Sequence, residues 1–393
     1  MKQRLEPSFF SRDHAVVSAI VALFASGLIS GALYFILLAP AIQKLDAKIN
    51  ELVLGSTSTT PIPQVPQVEV VPISSRPLLS ALPSELTSQP VSTVNIIRRS
   101  TAIEAEGIIQ GEQTIGHAIA VTSDGWFVVP YSIIEGESTS LLALQVRGGL
   151  VSIKKIIHDK STGYVYLKAD AITMTAASFV RPELIEEGAT VYAEIAPTIF
   201  VPVTLSDLAL SPGWQSSEIS TRRLRVISPL DAPLQGAPLR DATGRVVGMI
   251  DQFDKSLGSW LALPVGTVAS DINSITANGF IQRATLGVRG IDLAQTILST
   301  TTSTVAEPLG FLLKANKRLG AAVKSDSPAS GNMVEGDIIQ RVERDVLDGS
   351  VDLASLLMDY RPGVSITFYG KRKEEVFQTK ITLGTATTTE MIK

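Results

Sequence analysis

The stretch GWFVVPYSIIEGE, Gly125 to Glu137, predicts a β-strand that runs into a short helical turn. A glycine starts the stretch, β-branched and aromatic residues continue it, and Ser132-Ile133-Ile134 follows a Pro-Tyr corner. Residues of these types favour strands, and proline fixes the backbone at a corner. The stretch therefore indicates a fold of short strands joined by tight turns.

Similar apolar runs, each broken by Gly, Pro, Asp or Ser, continue from residue 94 to residue 278. Their regular spacing predicts an antiparallel, mainly β domain. The segment LPVGTVASDINSITANG predicts a helix that closes this domain, with Gly279 as its stop. Residues 281–384 mix short strands with the helical segment VDLASLLMDY and predict a smaller α+β domain, and residues 385–393 are interpreted as a C-terminal tail.

The composition narrows the chemistry of the chain. There is no cysteine among the 393 residues, which excludes disulfides, zinc-thiolate sites and a cysteine nucleophile. The histidines, His14, His117 and His158, lack the i, i+4 spacing of a helical metal site. A formal net charge of −4 gives no indication of nucleic-acid binding. We therefore predict no metal and no cofactor.

Residues 15–42 contain no charged side chain. This run exceeds the roughly 20 residues that cross a bilayer and the roughly 7–15 of a signal-peptide core. We interpret it as a transmembrane helix after a cytoplasmic N-terminus, residues 1–14, since Lys2, Arg4 and Arg12 precede it. Residues 43–93, rich in Pro, Ser and Thr, are interpreted as a linker. The expected protein is single-pass in the cell membrane, with its domains outside the cytoplasm.

Several segments resemble, in order, the sequence patterns of HtrA/Deg (high-temperature-requirement) trypsin-like serine proteases. TIGHAIAVTSDGWFVVPYSIIEG is similar to the opening hairpin and histidine loop of that family, which reads close to TGSGFIIDxDGYIVTNNHVVEG. Four further segments are similar to the aspartate loop, the nucleophile loop, the last barrel strand and a PDZ domain of the family: HDKSTGYVYLKAD, LQGAPLRDATGRVVGMI, LALPVGTVASDI, and ATLGVRGIDL followed by GAAVKSDSPASGNMVEGDIIQRVERDVLDG. The resemblance implies a trypsin-like double β-barrel followed by an α+β PDZ domain.

The resemblance also implies where a serine-protease triad would lie. The histidine position falls on Ser132, the aspartate position on Gly163 and the nucleophile position on Gln235. The oxyanion-hole glycine falls on Pro233, which has no backbone N–H. We therefore predict a degenerate site with no catalytic residue.

Other residues fit the missing roles poorly. Asp159 and Asp170 match the aspartate position only with an insertion, and His117 or Ser228 would need large loop movements. The favoured hypothesis is a pseudoprotease that binds polypeptides, for quality control or as a scaffold or regulator of an active protease. The alternatives are an active serine endopeptidase with displaced catalytic groups and a structural envelope protein whose PDZ groove stays empty.

The resemblance implies a peptide-binding site in the smaller domain. Thr285, Leu286, Gly287 and Val288 would form the loop whose N–H groups receive a C-terminal carboxylate, and residues 351–360 the helix that lines the groove. The implied partners are polypeptides or protein C-termini, with an active HtrA-type protease or trimeric self-assembly as further options. A packing module without an external ligand is the alternative. We interpret the arginine-rich run at residues 222–225 as a solvated strand edge rather than an anion site.

Overall fold

The computed structural model describes residues 82–99, 113–146, 149–169, 173–180, 184–211, 213–229, 233–295, 309–387 and 389–391. The predicted transmembrane helix at 15–42, the N-terminus before it and the linker as far as residue 81 lie outside these ranges. Among the described residues, no helix has the length and apolarity needed to cross a bilayer.

Six strands between residues 93 and 169 form an antiparallel barrel. Its strands follow the order β5-β4-β1-β2-β3-β6, and pairing of β5 with β6 closes the ring. The strands are β1 (Thr93–Arg98), β2 (Thr114–Ala120), β3 (Trp126–Pro130), β4 (Leu142–Val146), β5 (Gly149–Asp159) and β6 (Tyr164–Ala169). A short helix, α2 (Tyr131–Ile134), follows β3 directly, which confirms the strand and helical turn predicted for this stretch.

A second closed barrel of six strands follows, in the order β10-β13-β12-β11-β7-β8. The strands are β7 (Thr190–Ala196), β8 (Ile199–Leu210), β10 (Arg223–Ile227), β11 (Pro238–Arg240), β12 (Val246–Asp254) and β13 (Ser259–Pro264). Val203, Leu224, Leu239 and Ile250 are among the fully buried side chains that fill this barrel. The predicted mainly β architecture is thus confirmed, with two barrels.

A buried ion pair of the second barrel is also bonded to the start of the first barrel. Arg240 Nε on β11 lies 2.7 Å from Glu194 Oε2 on β7, and both side chains are almost inaccessible to solvent. The hydroxyl of Thr93, at the start of the first barrel, donates to the same carboxylate oxygen at 2.6 Å. Because every charge in this cluster has a partner, the polar contact is compatible with its burial.

Helix α3 (Val268–Asn278) closes the barrel region where the sequence predicts it. Gly279 caps its C-terminus with φ of 81° and donates its N–H to Ile275 O, which confirms its predicted role. The helix packs on the barrels through Asp271, whose Oδ2 accepts a hydrogen bond from Tyr166 Oη at 2.6 Å.

The C-terminal unit, which we define as residues 282–387, is a small α+β structure with its own apolar core. Its main sheet has the order β20-β19-β17-β16-β15-β9, with β18 beside β17. The strands are β9 (Trp214–Ser216), β15 (Arg289–Asp292), β16 (Phe311–Leu313), β17 (Asp337–Val342), β18 (Asp345–Val346), β19 (Ser365–Arg372) and β20 (Glu375–Thr382). Helix α4 (Leu353–Met358) covers the sheet, two residues shorter at each end than the predicted segment. Strand β9 belongs to this sheet although it lies in the barrel part of the sequence.

Two segments outside the predicted domains contribute structure. Within the predicted linker, residues 84–88 form helix α1 (Ser84–Ser88), which buries Leu86. The predicted C-terminal tail, residues 385–393, contributes most of one strand and all of another. Strand β21 (Gly384–Thr387) pairs with β14 (Gln282–Thr285), and β22 (Thr389–Met391) pairs with β5 of the first barrel. Their backbone groups are satisfied by neighbouring strands, a long-range contact that composition does not report.

Candidate functional site

Ser132, in the predicted histidine position, lies in helix α2 beside the second barrel. Its Oγ donates a hydrogen bond of 3.0 Å to the backbone oxygen of Asp251 on β12. The neighbouring Tyr131 N–H donates to Gly163 O at 2.8 Å. The fold therefore joins the segments that carry positions 132 and 163.

Gln235, in the predicted nucleophile position, lies in the turn before β11 with an exposed side chain. The next residue, Gly236, donates its N–H to Ile250 O on β12 at 2.8 Å. Gly236 has φ of 77°, and a Cβ placed on it would lie 3.0 Å from Ile133 Cδ1. Helix α2 and the turn at Gly236 therefore bond to adjacent residues of β12, 251 and 250. Because helix α2 also bonds to Gly163, positions 132, 163 and 235 lie close together.

The aspartate position is filled by a glycine with an unusual backbone. Gly163 has φ of 85°, and its N–H donates to Asp159 O at 2.9 Å. The Asp159 carboxylate is fully buried, and its Oδ2 accepts from Arg283 at 2.5 Å and from Thr162 at 2.8 Å. Asp159 is therefore held by a buried arginine and does not supply the missing carboxylate.

Pro233 is the residue that the resemblance assigns to the oxyanion hole. Pro233 is exposed, whereas the Leu234 side chain is fully buried in the core of the second barrel. Proline has no N–H, so this backbone position provides no donor to a substrate oxygen.

His117, the candidate substitute base, is engaged in another contact. Its ring is buried, and Nδ1 lies 3.0 Å from Asn95 Oδ1. Burial lowers the pKa of His117, while Glu194 and a hydrogen bond to the Ile195 backbone act in the opposite direction. The second histidine of the barrels, His158, stacks on Tyr131 with 4.1 Å between ring centroids.

The run at residues 222–225 is part of the closed second barrel, so its interpretation as a solvated strand edge is wrong. Arg222 is buried and donates through Nε to Leu208 O at 2.8 Å. Arg223 Nε lies 3.8 Å from Asp251 Oδ2. Arg223 also lines a cavity of about 310 Å³ that extends to Ser355 and Leu356 of helix α4. The strand pairs on both sides, and this leaves its arginines no free edge.

The predicted peptide-binding loop, Thr285 to Val288, leads from β14 into β15, and two of its N–H groups donate to one carboxylate oxygen. Gly287 N–H donates to Glu218 Oε1 at 2.6 Å, and Leu286 N–H to the same oxygen at 3.3 Å. Val288 N–H donates to Ser217 Oγ at 3.1 Å. The loop can therefore hold a carboxylate, and in this structure it holds one from the barrel region. Thr285 lies in strand β14, opposite Gly384.

Backbone conformation and lack of space both favour glycine at position 287. Its φ is 84°, and a Cβ there would overlap the side chain of Ser327. The three leucines of the groove helix, Leu353, Leu356 and Leu357, all pack into the core of the C-terminal unit. Ser355 of the same helix lies 3.3 Å from Ser220 by their hydroxyl oxygens.

Sequence reasoning missed Ser217 and Glu218, which hold the N–H groups of this loop. They are 68 to 71 residues away from their partners along the chain. Two serines and a glutamate between barrel strands form no recognisable motif. Their contact with the loop is therefore visible only in the structure. Among the described residues, there is no group of three or more side chains that could hold a metal ion.

Comparison with known proteins relates this chain to one family of proteases. A DegP-like probable periplasmic serine endoprotease of Halomonas elongata is 21% identical over an alignment of 306 residues that covers 71% of this chain and 58% of that protein. A Do-like HtrA serine protease of Lactococcus lactis is 26% identical over an alignment of 289 residues that covers 67% of this chain and 68% of that protein. No protein-family model matches the sequence. The chain thus spans little more than half of the Halomonas protein.

The solved structures agree in fold. The structure of an HtrA-type protease, AlgW, with a decapeptide has a TM-score of 0.52 and 17% identity, and covers 77% of this chain and 98% of the solved one. The same protease with a tripeptide also gives a TM-score of 0.52, over 77% of this chain and 96% of the solved one.

Proposed function

We propose that this chain, a homologue of the HtrA/DegP serine proteases, is a pseudoprotease that binds polypeptides without cutting them. One observation carries the proposal. The fold brings positions 132, 163 and 235 together, and they hold serine, glycine and glutamine.

These residues cannot perform acyl transfer as a triad does. A serine hydroxyl is no base near neutral pH, and the Ser132 hydroxyl already donates to a backbone oxygen. A carboxamide at position 235 is no nucleophile, and glycine at 163 cannot orient an imidazole. Loss of one oxyanion donor, as expected at Pro233, typically costs on the order of 10²–10³ in rate.

Polypeptide binding is proposed for the C-terminal unit, interpreted as a PDZ domain. Such domains add an extended peptide to a sheet edge and receive its terminal carboxylate on backbone N–H groups. The N–H groups of Leu286 and Gly287 already converge on a carboxylate oxygen, which supports this role. That an HtrA-type protease of this fold was solved with a decapeptide is consistent with it.

We further propose that the apolar segment at residues 15–42 anchors the chain in the cell membrane and that its domains lie outside the cytoplasm. There the protein would hold unfolded chains, present them to an active HtrA-type protease or scaffold an assembly. Trimeric self-association is a further proposal from the family.

A fluorophosphonate probe tests the absence of catalysis directly, since it labels serines activated by a base. The purified full chain should show no labelled serine by mass spectrometry, while an active Do-like HtrA protease, treated in parallel, is labelled at its nucleophile. Covalent labelling of any serine of this chain, removed by its substitution with alanine, would support the displaced-endopeptidase hypothesis instead. Ser228 and Ser132 would be the first substitutions to make.

A further inference from the structure

A segment of the second barrel completes the sheet of the C-terminal unit. Strand β9 leaves the connection between β8 and β10 and pairs antiparallel with β15, which is otherwise an edge strand. The register places Ser216 opposite Arg289, Gln215 opposite Gly290 and Trp214 opposite Ile291. This is the geometry of strand addition, in which the main chain of a ligand extends a sheet.

The segment runs towards the loop at residues 285–288 and ends there in a carboxylate. Ser217 N–H donates to Val288 O at 3.0 Å, which continues the pairing by one residue. Glu218 then turns its side chain back, so that Oε1 accepts from Gly287 and Leu286. Ser217 Oγ and Ser216 Oγ donate to the two carboxylate oxygens, each at 2.7 Å, and hold the carboxylate in place.

We propose that Trp214–Glu218 is an internal ligand that occupies the peptide groove of this chain. This inference rests on the proposed function, because it assumes that the groove binds peptides. The side-chain carboxylate of Glu218 takes the place that the terminal carboxylate of a bound peptide would take. The strand direction, the main-chain pairing and the carboxylate position all agree with a peptide bound through its C-terminus.

The segment is partly buried and is hydrogen-bonded to its surroundings. Gln215 and Ser217 are buried, with 2% and 1% exposure. Gln215 Nε2 donates to Ser211 Oγ at 2.6 Å, and Ser220 N–H donates to Ser161 O of the first barrel at 2.9 Å. These contacts anchor both ends of the segment close to the groove.

Internal occupancy changes how the chain meets a partner. A tethered ligand acts at an effective concentration that is in the millimolar range for short connections. An external peptide binds only to the fraction of molecules whose groove is open, and its apparent affinity falls by that fraction. The groove is therefore closed at rest and selects peptides that can displace the segment.

Hydrogen exchange in the full chain, solubilised in detergent, tests internal occupancy without any added ligand. Glu218→Ala should speed exchange of the Leu286 and Gly287 amides by about tenfold or more, because their acceptor is gone. Glu374→Ala is the matched control: it removes an exposed carboxylate from the β19–β20 turn of the same unit and should leave both amides protected. Equal exchange in the Glu218→Ala variant and the unaltered chain would overturn the inference.

Peptide binding separates this inference from the proposed function. The probe is a fluorescein-labelled heptapeptide that copies residues 211–217 and ends in a free carboxylate, with the C-terminal amide as its comparison. Glu218→Ala should bind the acid form about tenfold more tightly than the unaltered chain or Glu374→Ala, which corresponds to about 1.4 kcal/mol. Glu218→Gln keeps the size of the side chain without its charge and should fall between them.

Two results of this experiment would distinguish a failure of the internal-ligand inference from a failure of the proposed function. If the acid peptide binds all variants equally and more tightly than the amide, the proposed function stands and the internal ligand is wrong. If no variant prefers the acid peptide although Glu218→Ala frees the loop amides, the proposed function fails and the loop contact is only structural.

Discussion

The backbone at position 163 favours glycine over the aspartate that the resemblance implies there. Its φ of 85° lies in the left-handed region, which glycine adopts at little cost and other L-residues adopt at about 1–2 kcal/mol. The nearest atom to a Cβ placed there, Leu263 Cδ1, is 3.7 Å away, so space is not the obstacle. An aspartate introduced at this position would therefore be strained by its backbone, and the triad is not restored by exchanging side chains alone.

Gly287→Ala should destabilise the C-terminal unit by about 2–4 kcal/mol, because it adds an overlap with Ser327 to the cost of a left-handed backbone. Gly331→Ala is the control, since Gly331 has φ of 79° and no atom within 4 Å of its added Cβ. It should cost only about 1–2 kcal/mol. Differential scanning calorimetry of the full chain measures both, and equal shifts would show that Ser327 does not restrict this position.

Arg240→Met should cost about 3–5 kcal/mol, because it leaves the Glu194 carboxylate buried without its cation. Arg245→Met removes a guanidinium from a partly exposed pair with Asp241 and should cost no more than about 1 kcal/mol. Urea unfolding of the two variants makes the comparison. Similar losses from both would mean that burial adds nothing to the cost of breaking the Glu194–Arg240 pair.

At the scale of elements, helix α3 is joined to the barrel through two carboxylates that share one guanidinium. Arg283 Nη2 lies 2.5 Å from Asp159 Oδ2 and 2.6 Å from Asp271 Oδ1. Burial raises the pKa of Asp271 to about 7, although Arg283 acts to lower it. Between the usual pKa of an aspartate and about pH 7, Asp271 is therefore protonated in the folded chain and ionised in the unfolded chain.

This proton makes stability depend on pH with a definite sign. Since the pKa is raised on folding, the contribution of Asp271 is complete below about pH 4 and is lost as the pH rises to about 7. The slope approaches 1.36 kcal/mol per pH unit for one proton. Asp271→Asn cannot titrate and should lack this slope. Denaturant unfolding of both chains from pH 4.5 to pH 7.5 tests the prediction, which fails if the two profiles run parallel.

The strands show how far sequence reasoning reaches. Apolar runs and turn signals predicted β3, the helix before Gly279 and the strands β17, β19 and β20, because local sequence pattern reflects which residues are buried. The same reasoning missed the pairing of β9 with β15 and the strands after residue 383, since both depend on partners far along the chain. It also misplaced the arginines at 222–225, because a closed barrel buries a strand that composition marks as polar.

The site follows the same division. The resemblance supplied the positions of Ser132, Gly163 and Gln235, and the fold brings them together. It also supplied the loop at Leu286–Val288. It could not supply Glu218, because the acceptor of those N–H groups comes from another part of the fold, and no local pattern encodes a contact across 69 residues.

At the scale of the whole molecule, we expect membrane association through residues 15–42. The full chain, expressed in a bacterial cell and extracted with alkaline carbonate, should stay with the membrane pellet. A chain that starts at residue 46 should move to the soluble fraction, because the apolar span is gone. Extraction of the full chain into the supernatant would contradict the proposed anchor.

The central claim is that an HtrA-type scaffold binds polypeptides but no longer cleaves them. The most direct measurement incubates the purified full chain with reduced, permanently unfolded casein and sequences any new peptide ends by mass spectrometry. We expect no new ends above those formed in buffer, with casein recovered intact. Cleavage by the chain that disappears on a single substitution beside positions 132, 163 or 235 would contradict it.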